Sequence, residues 1–484
     1  MLIVQNGYKC DYEMRLFAGL FFDHDDSHEI FSNLTCGGGR INVYTQINYG
    51  GKIYTDDLWL DFKPQSERMK RKIFTAMCTR SLCAAASKLV RVNLPWGVMC
   101  GIRPAKNARV MLESGLGEDE VRRIFRDIYR VSPEKTELAM TVAANEKRML
   151  SRISGDSVSL YIGIPFCPTR CLYCSFVSTD IRTSGRYMDE FVNKLLLEID
   201  KTAEVIRRIK ARVDTIYIGG GTPTTLSAED ISRICGRLRQ RFDFSGISEF
   251  TLEAGRPDTI TREKLEAAKR GGVDRISINP QSMNEATLKR VGRTHTPEMV
   301  RDCVRLAREV GIGIINMDLI AGLPGEDEEM FRRSLDEVTA LDPENITVHS
   351  LCLKRAADFG RSSERLAEAE RMNNMLDYTQ RRMRETGMEP YYMYRQKNSS
   401  GNLENVGYAK SGTMNAYNIN IMEEKQTIIA LGGGGSTKLV DGDRIERIFN
   451  FKDPAEYIRR FDEILKKKDE IVSFYEAKKI SADR

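Results

Sequence analysis

Tyr161-Ile162-Gly163-Ile164-Pro165-Phe166-Cys167-Pro168-Thr169-Arg170-Cys171-Leu172-Tyr173-Cys174 sets three cysteines at C-x3-C-x2-C spacing, directly after an apolar, strand-like run over Val158–Ile164. Three thiolates on one short loop suit three corners of an iron–sulfur cube. Such four-iron clusters ordinarily take four cysteines, and here Ser175-Phe176 follows the third. A cube held this way keeps one iron open, as a catalytic metal must be. A small chelator with an amine and a carboxylate would close that corner. The alternatives are a zinc knot, for which no nearby fourth ligand exists, and three unrelated thiols.

Outward from this loop the chain alternates between two periods. Strand-like runs at Val213–Ile218, Glu249–Glu253, Asp274–Asn279, Ile312–Ile320 and Asn345–Leu351 follow the first. Helix-like runs lie between them at Tyr187–Ile209, Ala228–Phe242, Thr261–Arg270, 297–310 and 327–340. Ser227 and Thr261 have the position of N-caps, and Gly271-Gly272 of a helix stop. Repeated strand–helix units require right-handed crossovers and a parallel sheet. Six of them predict an α/β fold, a partial (β/α)6 barrel with its site at the C-terminal strand ends. An open doubly wound sheet is the alternative.

Residues 1 to about 62 read as short strands joined by turns at Cys36-Gly37-Gly38-Gly39-Arg40 and Tyr49-Gly50-Gly51-Lys52. Ser66–Leu89 turns helical, and short helices continue to Leu150. Cys78 and Cys83 there read as buried helix thiols. After Met393 come a polar loop at Asn398-Ser399-Ser400-Gly401-Asn402, a strand at Gln426–Leu431, a turn at Gly432-Gly433-Gly434-Gly435 and a basic, helix-like tail. The domains predicted are 1–150, an α+β extension; 151–390, the barrel; and 391–484, a small C-terminal domain.

The 484 residues are 41% hydrophobic and 30% charged, enough apolar mass for a sizeable core. Lys plus Arg (74) exceeds Asp plus Glu (69) by only 5, no footprint for nucleic acid. No run approaches the roughly 18 apolar residues of a membrane span. The start, Met1-Leu2-Ile3-Val4-Gln5-Asn6, has no signal-peptide pattern, so the expected compartment is the cytoplasm. A reducing cytosol keeps the 11 cysteines as thiols. The 4 histidines (His24, His28, His295, His349) are too scattered to predict a histidine metal centre.

Several strand ends carry polar groups. Gly219-Gly220-Gly221-Thr222-Pro223-Thr224 follows the second strand, and its glycines let backbone approach a ligand. It is no Walker loop, because no Gly-Lys-Ser/Thr follows. Glu253, Gln281 and Asp318 stand at later strand ends. A carboxylate there either binds a ligand or pairs structurally with a helix N-terminus.

With these motifs the chain resembles the radical S-adenosylmethionine (SAM) superfamily, over roughly residues 155 to 440. Within it, the stretches Leu252-Glu253-Ala254-Gly255-Arg256-Pro257, Ser277-Ile278-Asn279-Pro280-Gln281-Ser282, Leu288-Lys289-Arg290-Val291-Gly292-Arg293 and Asn316-Met317-Asp318-Leu319-Ile320-Ala321-Gly322-Leu323-Pro324 resemble the oxygen-independent coproporphyrinogen III oxidases. So do Tyr391–Asn398, Glu404–Tyr408 and Ala430–Gly435. The long N-terminal extension is similar to the HemZ-type branch, the coproporphyrinogen dehydrogenases.

The resemblance implies a 4Fe–4S cluster on Cys167, Cys171 and Cys174, with SAM on the fourth iron. One electron from the reduced cluster then splits SAM, and the 5′-deoxyadenosyl radical takes hydrogen from substrate. Tyr161, Gly220, Gly221, Thr222, Glu253, Gln281, Arg293 and Asp318 are the implied SAM site, and Tyr173 with the loop near Ser436 a second one. The implied activity is oxidative decarboxylation of coproporphyrinogen III to protoporphyrinogen IX in heme biosynthesis. Implied partners are a tetrapyrrole, coproporphyrinogen III or heme, and a reductase or flavodoxin-type electron donor. Arg395 and Lys397 are candidates for its carboxylates, or else solvated surface residues. Where the family's decarboxylases carry a fourth cysteine this chain has Phe176, as its heme-chaperone branch does. The His-Asn-x-x-Tyr-Trp stretch of the chaperones is absent. A radical enzyme acting on heme itself is the third reading.

Overall fold

The computed structural model describes residues 1–22, 27–62, 66–174, 178–351, 362–396 and 403–482, with the side chains of 362–367 and 479–482 left aside. The readings placed on His24, Phe176, Lys397 and the loop 398–402 lie outside the described residues. Two compact units make up the chain. One comprises Met1–Ala144, Ser350–Asn374 and Met393–Asn405; the other comprises Asn145–His349, Met375–Tyr392 and Val406–Arg484.

The first unit carries a four-stranded sheet of β1 (Leu2–Asn6), β2 (His28–Gly37), β3 (Arg40–Tyr49) and β4 (Lys52–Asp61), in that order. β1 runs parallel to β2, and the others are antiparallel neighbours. The two glycine turns read from the sequence close the β2–β3 and β3–β4 hairpins, with positive φ at Gly38, Gly39, Gly50 and Gly51. Helix Glu67–Ala86 lies against the sheet and buries Ile73, Phe74, Met77, Leu82 and, as expected, the Cys78 and Cys83 thiols. The helix Asp11–Ala18 interrupts the strands where none was expected; no side-chain cap at Cys10 announces it. Deep in this unit Lys135 Nζ donates to Glu404 Oε1 at 2.7 Å and Trp96 Nε1 to Glu404 Oε2 at 2.6 Å.

The second unit carries most of the remaining strands, β5 (Ser157–Ile164), β6 (Phe166–Cys167), β7 (Thr179–Asp180), β8 (Arg212–Gly220), β9 (Glu249–Glu253), β10 (Arg275–Ser277), β11 (Ile314–Ala321), β12 (Asn345–Ser350), β13 (Glu389–Arg395), β14 (Glu404–Ala409), β15 (Thr427–Gly432), β16 (Ser436–Asp441) and β17 (Arg444–Phe449), with Ser350, Met393–Arg395 and Glu404–Asn405 counted in the first. Apart from the short β6–β7 pair, these form an eleven-stranded sheet in the order β13-β14-β12-β11-β10-β9-β8-β5-β15-β16-β17. β5, β8, β9, β10 and β11 are successive parallel neighbours, and β12 comes next. The six expected strands thus stand side by side in chain order, each followed by its helix, as a partial barrel requires. Near-continuous burial of β5 and β9 fits strands covered on both faces. Ser227 and Thr261 cap their helices as read, accepting from Asp230 N and Lys264 N.

The predicted helical tail is corrected in part. β16 and β17 form a hairpin first, and only then come helices Pro454–Arg459 and Phe461–Ala482. β15 lies parallel to β5, placing C-terminal chain beside the strand that leads into the cysteine loop. Buried Glu198 anchors this arrangement, accepting from Gly432 N (2.9 Å), Asn450 Nδ2 (2.8 Å) and Tyr457 Oη (2.6 Å), with Lys468 Nζ at 2.8 Å. Among the described residues no helix is long and apolar enough to cross a membrane.

Candidate functional site

The cysteine loop leaves the C-terminal end of β5, and its first cysteine ends β6. Pairing of Phe166 with Thr179 and of Cys167 with Asp180 fixes that end. Further along, Leu172 N donates to Val291 O (3.1 Å) and Thr169 Oγ1 to Gly292 O (3.3 Å), tying the loop to the segment before Arg293. Cys174 N donates to Cys171 O at 3.1 Å.

The glycine turn after β8 packs against the loop. Gly221 N donates to Ile164 O and Thr222 N to Phe166 O, both at 2.7 Å. A Cβ on Gly221 would stand 2.6 Å from Phe166 O and 3.0 Å from Cys167 Sγ, so only glycine fits. Gly220 has φ +119°, a conformation other residues avoid.

The cysteine sulfurs have donors around them. Thr222 Oγ1 lies 3.4 Å from Cys167 Sγ, and Arg256 Nη1 donates toward Cys171 Sγ at 3.6 Å. Hydroxyl and guanidinium donors of this kind can hydrogen-bond the ligand sulfurs of a cluster, so this donor set fits one gripped by the three cysteines. Among the described residues no three His, Cys, Asp or Glu side chains are gathered into a metal-sized group, so the fit rests on the loop, its donors and the glycine cradle.

Around the loop stand the other predicted residues. Glu253 ends β9, where Tyr217 Oη donates to its Oε2 at 3.4 Å. The Tyr217 ring stacks on Tyr417 (centroids 4.7 Å apart), and Tyr161 stacks with both at 6.2 Å. Buried Glu249 holds Tyr417 in place by accepting from the Ala416 and Tyr417 amides. Burial, and then the Asp318 charge, push the Glu253 carboxyl up to about 8, against the Tyr217 hydroxyl, the Gly220 amide and the Arg293 charge. Burial likewise pushes the Tyr161 and Tyr217 phenols up.

Gln281 takes a left-handed φ of +67°. Its amide donates to Asp318 O at 2.9 Å and its carbonyl accepts from Ile320 N at 3.0 Å, which hold the strained residue beside β11. The Asp318 carboxylate accepts from Asn316 Nδ2 at 2.8 Å and lies 3.7 Å from His349 Nε2.

Arg293 donates to Tyr173 Oη (2.9 Å), Gly255 O (3.1 Å) and Asn279 O (2.7 Å). It is buried, so the reading of a solvated helix-end arginine is set aside. Burial pushes the Tyr173 phenol up while the Arg293 charge pulls it back. Arg395 is buried too, in the first unit, where Nη1 donates to Met99 O at 2.8 Å; the solvated role expected for it is corrected. Among the described residues neither carboxylate caps a helix N-terminus; Glu253 meets Tyr217 and Gly220, Asp318 meets Asn316 and His349.

Sequence reasoning missed Arg256, Tyr217, Tyr417 and His349. Arg256 stood inside a quoted motif, and Tyr217 two residues before the glycine turn, on the alternation that signals a shared strand face. His349 was a polar residue near the end of the strand read at Asn345–Leu351, and Tyr417 carries no local signal.

A family model described as the radical SAM superfamily matches residues 161–338. The chain is 42% identical over 379 residues to the oxygen-independent coproporphyrinogen-III oxidase-like protein HemZ of Bacillus subtilis, covering 77% of this chain and 75% of that one. It is 30% identical over 303 residues to the heme chaperone HemW of Escherichia coli, covering 62% and 76%. Among solved structures it is similar to coproporphyrinogen III oxidase HemN of Escherichia coli, with TM-score 0.50 and 23% identity over 66% of this chain and 72% of that one; this likeness speaks for the fold.

Proposed function

Because the chain belongs to the radical SAM superfamily, in the HemZ branch of the HemN-like family, and shares that superfamily's 4Fe–4S and SAM cofactors, we propose that it decarboxylates coproporphyrinogen III to protoporphyrinogen IX without oxygen. The observation that carries this reading is the meeting of the three-cysteine loop with Thr222, Arg293 and Glu253 at one end of a parallel sheet. When bound and reduced, the cluster supplies the electron that turns SAM into methionine and a hydrogen-abstracting 5′-deoxyadenosyl radical.

The chain's own residues prepare that event. Cys167, Cys171 and Cys174 hold the cluster. Gly220 and Gly221 bring backbone close, and Thr222 stands over Cys167. Glu253 offers a carboxylate to the cationic end of SAM, which lowers the cost of ionising it at depth. Tyr161 and Tyr173 supply half-buried ring faces, and Arg293 fixes Tyr173. Gln281 and Asp318 close the other side, Asp318 as an acceptor for hydroxyl groups. On each of two propionates the 5′-deoxyadenosyl radical would take a β-hydrogen atom and become 5′-deoxyadenosine, an external one-electron acceptor would take the electron left behind, and the bond to the carboxylate would break to give a vinyl group and carbon dioxide. The electron donor is of reductase or flavodoxin type, and the cytoplasm, where thiols stay reduced, is the expected site of action.

A second reading, a heme chaperone, is favoured by the similarity to HemW and by Phe176 at the fourth-cysteine position. One experiment separates them. Reduced, anaerobic protein is mixed with SAM and either coproporphyrinogen III or heme, and the products are weighed by mass spectrometry. Loss of two carbon dioxides with formation of 5′-deoxyadenosine is expected. Heme uptake and transfer without SAM cleavage establishes the chaperone, and SAM cleavage with a changed heme a heme-modifying enzyme; either overturns the first reading.

A further inference from the structure

Arg256 is 3% exposed and every part of its guanidinium is engaged. Nε and Nη2 grip the two oxygens of Asp258 at 2.9 and 2.8 Å. Nη2 also reaches Thr294 Oγ1 (3.4 Å), and Nη1 reaches Thr169 Oγ1 (3.1 Å) and Cys171 Sγ (3.6 Å). Thr294 Oγ1 donates in turn to Asp258 Oδ2 at 2.7 Å. A fork of this kind is fixed in direction, and its Nη1 edge is turned to the middle cysteine of the loop.

We propose that Arg256 is a positioning residue that holds Cys171 and, through the N–H aimed at its sulfur, makes the bound cluster easier to reduce, with Asp258 tempering the effect. This rests on the cluster placement proposed above. Reduction adds negative charge to iron and sulfur, and a donor aimed at a ligand sulfur stabilises the more negative state. Burial strengthens that interaction. Asp258 is the opposing influence, because its charge lies beside the same guanidinium and disfavours the added electron. Its carboxyl is held down to about 2 although burial acts to raise it, because Arg256 and Thr294 favour the ionised form. The pair is therefore a fixed dipole at any working pH. Lysine, with a single ammonium, cannot grip Asp258 with two prongs and still reach the sulfur.

The test uses the full chain, anaerobically reconstituted, without SAM or tetrapyrrole. Iron content, absorption and electron paramagnetic resonance verify the cluster, and a potentiometric titration gives its midpoint. Arg256→Gln and Arg256→Lys are expected to keep iron yet shift the midpoint negative, by about a tenfold change in the reduced-to-oxidised ratio at fixed potential for Arg256→Gln, which is about 59 mV for one electron. Asp258→Asn is expected to shift it the other way, and that sign decides the matter if the arginine variants fail to hold iron. Unchanged midpoints in all iron-loaded variants, or a negative shift in Asp258→Asn, overturn the proposal. A colourless parent protein overturns it together with the cluster placement. Shifts of the expected sign in a protein that releases no carbon dioxide from coproporphyrinogen support Arg256's role and refute only the proposed substrate.

Discussion

Arg293 Nε donates to Tyr173 Oη at 2.9 Å, joining the cysteine loop to the chain beyond β10. The same guanidinium takes the Gly255 and Asn279 carbonyls, so one buried side chain fastens three strand-end segments. Arg293→Leu leaves those carbonyls without their donor and is expected to cost about 2–4 kcal/mol in chemical denaturation. SAM affinity should fall at least about tenfold by calorimetry, the equivalent of 1.4 kcal/mol. A variant that unfolds more readily but binds SAM normally would assign Arg293 to stability alone.

Cys167→Ala, Cys171→Ala and Cys174→Ala should each leave a folded protein with little iron and no 5′-deoxyadenosine above the protein-free background. Iron analysis after anaerobic reconstitution checks this. Replacing Cys235, buried on helix Ala228–Arg241 and away from the loop in sequence, should leave iron content unchanged.

Gly221→Ala drives a methyl group toward Phe166 O and Cys167 Sγ. Overpacking of this kind costs about 1–3 kcal/mol. The expected result is a folded protein, normal by circular dichroism, whose iron content falls because its first cysteine is displaced.

The raised Glu253 carboxyl gives a pH dependence with a definite sign. Its ordinary value is 4.5 and its folded value about 8, so between these the folded chain binds the extra proton. This contribution to stability is full below 4.5 and is lost as pH climbs through about 8. The cofactor-free Glu253→Gln variant should lose less stability over that range in pH-resolved denaturation. A positive ligand reverses the preference, so SAM binding near pH 7 should release a proton in the parent and none in the variant. Calorimetry in buffers of different ionisation enthalpy measures it; equal heats in the parent would refute the prediction.

In the first unit Lys135 and Glu404 form a pair almost wholly out of water. Lys135→Met strands the carboxylate and should cost about 3 kcal/mol. Lys135→Met with Glu404→Leu should recover part of that loss, which a double-mutant cycle by denaturant unfolding reads directly.

The alternating strands and helices were legible because each strand is a short apolar run stopped by Gly or a polar residue, and because Ser227 and Thr261 cap in the ordinary way. The places of the cysteine loop and of Glu253 were legible for the same reason, because a strand end is a fixed place in this fold; Gln281 instead lies beyond the end of β10 and Asp318 within β11. β17 was not, since it carries Arg444, Glu446 and Arg447 along an exposed edge and resembles a charged helix in composition. The contacts of Arg256 and His349 were not, because their partners, Cys171 on the loop and Asp318 on β11, come from other segments, and no local spacing encodes that meeting. Arg395 misled by its charge; its cost of burial is met by backbone carbonyl and the Trp96 face.

The parallel pairing of β15 with β5 has a consequence for biosynthesis. A nascent chain emerging from the ribosome carries the strand leading to the cysteines long before its neighbour has been translated. Until Thr427–Gly432 arrives, that flank of the sheet presents unpaired amides and carbonyls, a template for aggregation. Messages truncated ahead of that segment should therefore yield inclusion bodies, and chaperone demand should fall once that segment has emerged.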